Sequence, residues 1–152
     1  MRTPDAEQPA TGMSAKQLAQ AITAPPFNTW LGVRLDRIDD HGLHLVMPWR
    51  EEIASNPQRG YAHGGALATL IDIATFYVVA ARVGTGGPTV DLRVDYHRPA
   101  MPGPLHVTST ILRLGRTLAT AEARITQPDG TLIASGRAVF LVGKPPQPKL
   151  ET

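Results

Sequence analysis

AHGGALATLIDIATFYVVAA, residues 62–81, carries a single charge, Asp72, near its middle. Apolar side chains would cover every side of the helix this run forms, the pattern of a helix wrapped by other elements. From Gly64 to Ala81 the run reaches the roughly 18 residues at which a membrane span becomes conceivable. A charge at the centre of such a span costs about 3 kcal/mol, however. Two glycines open the run and amphipathic strands flank it, so the expectation is a buried helix with no membrane role. An ionised carboxylate withdrawn from water without partners costs several kcal/mol. Asp72 is therefore partly exposed, or a buried structural acceptor, or it faces a site.

Working outward toward the N-terminus, SAKQLAQAIT predicts a short helix. Ser14 caps it, Gln17 completes a capping box, Leu18 and Ile22 form its apolar stripe, and Pro25 and Pro26 stop it. Val33 and Leu35, then Leu43, Leu45 and Met47, alternate on either side of DDHG, which predicts a hairpin. REEIASNPQRGYAH is a polar, turn-rich loop leading into the long helix. Toward the C-terminus, TVDLRVDYH, LHVTSTILRL, TLATAEARIT and TLIASGRAVFLV predict four more strands, with breaks at Gly115 and QPDG. In the first of them Val90, Leu92, Val94 and Tyr96 point one way, and Asp91, Arg93, Asp95 and His97 the other. One long helix with strands before and after it predicts an α+β fold, an antiparallel sheet curled around that helix.

The 152 residues fit one domain with a core of its own. Residues 1–12, MRTPDAEQPATG, lack the apolar stretch of a secretory signal and are expected to be a disordered lead-in. Residues 144–152 are expected to be a Pro-rich tail, leaving 13–143 as the folded domain. There is no cysteine, which excludes disulfides, thiolate metal sites and cysteine nucleophiles and fits a cytoplasmic protein. The five histidines show no paired ligand spacing, so no metal site is expected. No G-x-S-x-G elbow is present, and GTGGPT lacks the lysine of a phosphate loop. A net charge of +2 and 5% aromatic residues give no nucleic-acid signature. From Arg82 onward there are nine Lys/Arg against five Asp/Glu, and before it six against eight. The basic half could receive a phosphorylated ligand, or its charges could simply solvate strand faces.

HGG stands where the long helix starts. Glycine there lets another group approach the first free N–H donors, which carry the positive end of the helix dipole and suit an anion or an oxyanion. The alternative is that the glycines only pack the helix start against a strand. Gly64 and Asp72 are eight residues apart, about 12 Å along a helix axis. One carbonyl cannot meet both. If both act on one bond, they come from two copies, and a two-fold dimer with antiparallel helices would supply them.

NPQRGYAHGGALATLID, TVDLRVDYHRPAMPG and GRTLATAEARI together closely resemble the hotdog-fold acyl-CoA thioesterases of the phenylacetate-degradation (PaaI-like) type, over roughly residues 28 to 142. The resemblance implies a sheet wrapped around a central helix, and homodimers that pair into homotetramers. It matches Asp72 to the catalytic carboxylate, as general base or nucleophile, and the Gly64 amide to the group that polarises the thioester carbonyl. It makes His63 a helper in orienting that carbonyl and Thr89 a hydroxyl that holds the attacking water. Asn56 resembles the family's loop asparagine but stands seven residues before His63 where six are expected, and its other reading is an Asn-Pro turn. For the coenzyme A part of the substrate, the resemblance implicates Asp91, then Tyr96, His97, Arg98 and Pro99, then Arg113, Gly115, Arg116 and Thr117. Arginines suit its phosphates.

The expected activity is hydrolysis of an acyl-CoA thioester to a free acid and coenzyme A, with no cofactor beyond the substrate itself. Two alternatives stand beside it. A hotdog hydratase or dehydratase acting on 3-hydroxyacyl thioesters would make His63 as essential as Asp72. A non-catalytic acyl-CoA binding protein would use Asp72 only as a structural acceptor.

Overall fold

The computed structural model describes residues 12–143. The lead-in, apart from Gly12, and the tail lie outside the described residues.

Helix α1, Ala15–Thr23, begins with the expected reciprocal cap: the Gln17 amide donates to Ser14 Oγ, and Gln17 Oε1 accepts from the Ser14 amide. Leu18 and Ile22 are fully buried. Pro25 and Pro26 end α1, but they also start a second helix that the sequence reading missed, α2, Pro26–Leu31. Proline suits the first helical position because the N–H it lacks has no partner there. Gly32, left-handed at φ 72°, closes α2. The expected hairpin follows as β1, Arg34–Asp39, and β2, Gly42–Met47. Three side chains brace its outer face. His44 Nε2 lies 3.0 Å from Asp39 Oδ1, and His44 Nδ1 lies 3.0 Å from Thr108 Oγ1.

The polar loop is more ordered than its composition suggests. It holds a 3-10 turn at Glu51–Ile53, and its two arms are joined by an Ala54–Ala62 bridge. Helix α3, Gly64–Val83, then runs for 20 residues. Four strands complete the chain: β3, Thr89–Tyr96; β4, Leu105–Leu114; β5, Leu118–Thr126; and β6, Leu132–Leu141. They join β1 and β2 in one antiparallel sheet of order β1-β2-β4-β5-β6-β3. This is the hotdog architecture, with α3 packed against every strand from β2 to β6.

Alternation on β5 and β6 makes the seat for α3. Ala119, Ala121 and Ala123 face it from β5, and Ala134 and Ala138 from β6, all buried. Between the last two lies Gly136, where a Cβ would come 2.8 Å from Ile71 Cγ2. Small side chains let the helix axis approach the sheet, while Leu67, Leu70, Ile71 and Ala74 of α3 fill the space. Burial of this kind stabilises by about 25 cal/mol per Å² of apolar surface.

One strand departs from strict alternation. On β3 the register shifts between Thr89, opposite Phe140, and Asp91, opposite Val139, so Val90 is the extra residue of a β-bulge. Val90 is 61% exposed and does not share the packing of Leu92 and Val94. The bulge turns Thr89 onto the face that carries Leu92, toward α3, where uninterrupted alternation would have sent it away.

Candidate functional site

The start of α3 is held from three sides. His63 is its N-cap, with Nδ1 accepting from the Gly65 amide at 2.9 Å, so the remaining ring proton lies on Nε2. The His63 amide donates to Ile53 O, and the Ala66 amide donates to His63 O at 3.0 Å. Tyr96, at the far end of β3, donates its hydroxyl to Gly64 O at 2.9 Å. Among the described residues nothing accepts the Gly64 N–H, one of the donors that a helix start leaves free. Gly64 lines a cleft of about 340 Å³ together with Tyr61, Leu67, Tyr96, Arg98 and Pro99, among others.

Asp72 lies two turns further along α3 and is half-buried. Thr89 Oγ1 donates to its Oδ1 at 2.9 Å, a contact that exists because the bulge aims Thr89 inward. The hydroxyl has one proton and gives it to Asp72, so toward a water molecule Thr89 can only accept. A water between Thr89 Oγ1 and the carboxylate would donate both protons and present a lone pair outward, the orientation a nucleophile needs.

Within one chain the two groups stand apart. Gly64 contacts the Tyr96 end of β3 and Asp72 the Thr89 end, so α3 and β3 run antiparallel. Thr89 and Tyr96 pair with Phe140 and Ala134, six residues apart on β6, a separation of about 20 Å. The other expected residues divide the same way. His97, Arg98 and Pro99 line the cleft at Gly64; the His97 ring itself turns to the outer face, with Nε2 2.8 Å from Ser135 Oγ. Arg113, near the end of β4, and Gly115, Arg116 and Thr117 of the β4–β5 turn stand at the Thr89 end, where the Val142 amide donates to Thr117 O and the Leu141 amide to Pro88 O. Asp91 is exposed on the outer face, paired with Val139. Asn56 follows its turn reading: its Oδ1 accepts from the Gln58 amide at 2.8 Å, and its carbonyl accepts from the Arg59 and Gly60 amides. It does not line the cleft. The sequence reading did not anticipate His63 as a helix cap or the Tyr96–Gly64 bond. A histidine directly before a glycine-led helix start was the available signal for the first.

A long helix seated in a wrapped antiparallel sheet, carrying a half-buried acid and, among the described residues, an amide without a partner at its start, places the chain in the hotdog fold class. Comparisons with known proteins narrow this. The sequence profile of the Thioesterase superfamily matches residues 59–134. The medium/long-chain acyl-CoA thioesterase YigI of Salmonella typhimurium is 30% identical over 133 residues, 78% of this chain and 86% of that protein. An X-ray structure of a thioesterase-superfamily protein superposes with a TM-score of 0.80 at 43% identity, covering 82% of this chain and 95% of that one. The crystal structure of thioesterase superfamily member 2 from Mus musculus matches with a TM-score of 0.73 at 30% identity, over 86% of this chain and 100% of that one. The chain belongs to the thioesterase superfamily, and thioester hydrolysis is the chemistry it carries at family level.

Proposed function

We propose that the chain hydrolyses acyl-CoA thioesters to the free acid and coenzyme A, at sites each built from two copies of the chain. The observation that carries this is the placement of two complementary groups on one continuous helix. They are an acid with a hydroxyl partner at Asp72 and, at Gly64, an amide with no partner among the described residues, too far apart to act together in one chain. Among the described residues, strand β3 is an open edge of the sheet, and α1 packs along the other edge strand, β1. An unpaired edge is a template for another strand. Antiparallel pairing of β3 with its own copy brings Thr89 of one chain beside Tyr96 of the other, and so Asp72 beside the partner's start of α3.

In that arrangement the thioester carbonyl accepts from the Gly64 N–H of one chain, with His63 beside it. Asp72 of the other chain takes a proton from the water that attacks the carbonyl carbon. Collapse of the tetrahedral intermediate expels the coenzyme A thiolate. The same two-fold gathers Tyr96 to Pro99 of one chain and Arg113 to Thr117 of the other at one mouth, where arginines suit phosphates. Direct attack by Asp72 through an anhydride is the second form of the chemistry. The PaaI-like assignment, pairing of dimers into tetramers, a cytoplasmic setting and the lack of any cofactor beyond coenzyme A belong to the same reading.

Asp72→Asn tests it. Thiol release across a panel of short, medium, long and aryl acyl-CoAs is expected to fall by at least about a hundredfold, with thermal melting unchanged. Undiminished turnover would remove Asp72 from the mechanism. Acyl-CoA binding without any wild-type thiol release would favour a binding protein. Formation of a conjugated double bond without thiol release would favour a dehydratase.

A further inference from the structure

The peptide group between Gly64 and Gly65 is held at both polar ends by groups outside the ordinary helix ladder. Its C=O accepts the Tyr96 hydroxyl at 2.9 Å, and its N–H donates to His63 Nδ1 at 2.9 Å. The preceding peptide has its carbonyl engaged by the Ala66 amide, while its Gly64 N–H is unpartnered among the described residues. The Tyr96 ring also lies against Gly64: a Cβ there would be 3.3 Å from Cε1 and Cζ. Tyr96 is itself 55% exposed, so little of its surface goes to core packing. Its hydroxyl is aimed at one backbone oxygen, 32 residues away in sequence, on the turn that carries the free amide.

We infer that Tyr96 is a positioning residue: through the Gly64 carbonyl it fixes the first turn of α3, so that the Gly64 N–H points into the cleft at the developing oxyanion. This departs from the role that the sequence resemblance suggested for Tyr96, a contact to coenzyme A. It rests on the hydrolysis reading and adds to it. A helix start with two glycines is the part of a helix most able to shift. An oxyanion donor contributes only if its direction is set before the reaction. Because the amide matters more to the charged intermediate than to the neutral carbonyl, a loosened helix start lowers kcat and leaves KM nearly unchanged.

The test compares Tyr96→Phe, Gly64→Pro and the double variant in the full chain, on the acyl-CoA that wild type turns over fastest. Phenylalanine keeps the ring and removes the hydroxyl. Proline is tolerated at a first helical position and removes the amide proton, while its Cβ, 3.3 Å from the Tyr96 ring, moves that ring by a few tenths of an ångström. Tyr96→Phe is expected to lower kcat about five- to tenfold, the scale of one hydrogen bond, with KM within twofold and unchanged melting. In the Gly64→Pro background, where no donor is left to aim, Tyr96→Phe is expected to add no further loss. A raised KM with unchanged kcat would return Tyr96 to coenzyme A binding and overturn the inference. So would a fully additive loss in the double variant, or an unfolded Tyr96→Phe. Wild-type turnover with an unaffected Tyr96→Phe sinks this assignment alone, whereas no wild-type thiol release from any acyl-CoA sinks the hydrolysis reading and the assignment together.

Discussion

Removing the Thr89 hydroxyl perturbs the acid end of the proposed site with the least damage to the fold. Thr89 is exposed and its Oγ1 sits 2.9 Å from Asp72 Oδ1. Thr89→Val keeps the β-branched shape and deletes only the hydroxyl. A hydrogen bond from a hydroxyl to a carboxylate contributes about 1.5–3 kcal/mol when shielded from water. At an open site solvent competes, and about 1.5 kcal/mol is the reasonable figure. Since 1.4 kcal/mol is a factor of ten in rate, kcat should fall about tenfold if the bond holds Asp72 and its water in the reactive geometry. Thr89→Ser keeps the hydroxyl on a freer χ1 and should stay within about threefold of wild type. The assay is steady-state thiol release at saturating acyl-CoA, with melting curves recorded for both variants. Equal turnover of Thr89→Val and wild type would refute the reasoning, as would a Thr89→Ser variant as slow as Thr89→Val.

Three further outcomes follow from the packing and charge of the domain. Gly136→Ala would place a Cβ 2.6 Å from Arg93 O and 2.8 Å from Ile71 Cγ2, forcing β3 or α3 to shift; a loss of about 1–3 kcal/mol in urea unfolding is expected. Phe140, 1% exposed, packs edge-on against Phe76, so Phe140→Ala should cost about 3–5 kcal/mol by the same measurement. The His44 hydrogen bond, with help from the His41 amide and Arg37, holds the Asp39 carboxyl down to about 2. Its folded value lies below the unfolded one, so this contribution is fully present above about pH 4 and is lost as pH falls toward 2. NMR titration of the Asp39 carboxyl should find a midpoint near that low value, and an ordinary carboxylate midpoint would show the hairpin brace to be absent in solution.

Local chemistry made much of this fold readable. The helix 64–83 announces itself because apolar residues cover it on all sides and glycines open it. Helix α1 does so because Ser14 and Gln17 form a cap three residues apart. The hairpin and the later strands follow from alternation with a period of two. Helix α2 was hidden because paired prolines signal an end and a beginning equally well. The inward turn of Thr89 was hidden because a bulge is a property of the pairing with β6, which no window of β3 contains. The same holds for the site: Asp72 and Gly64 stand out as an isolated charge and a glycine at a helix entrance. The bonds that position them, Thr89 to Asp72 and Tyr96 to Gly64, join residues 17 and 32 positions apart. Only the folded chain brings those partners together.

Subunit complementation tests most directly whether one site draws on two chains. Asp72→Asn and Gly64→Pro, each expected to be nearly inactive alone, would be unfolded together in equal amounts and refolded. If the acid and the amide of a site belong to different chains, each mixed dimer contains one intact site and one doubly defective site. About a quarter of wild-type turnover then returns, half the dimers being mixed and half their sites intact. If both groups of a site belong to the same chain, every site in the mixture lacks one of them, and turnover stays at the level of the separate variants.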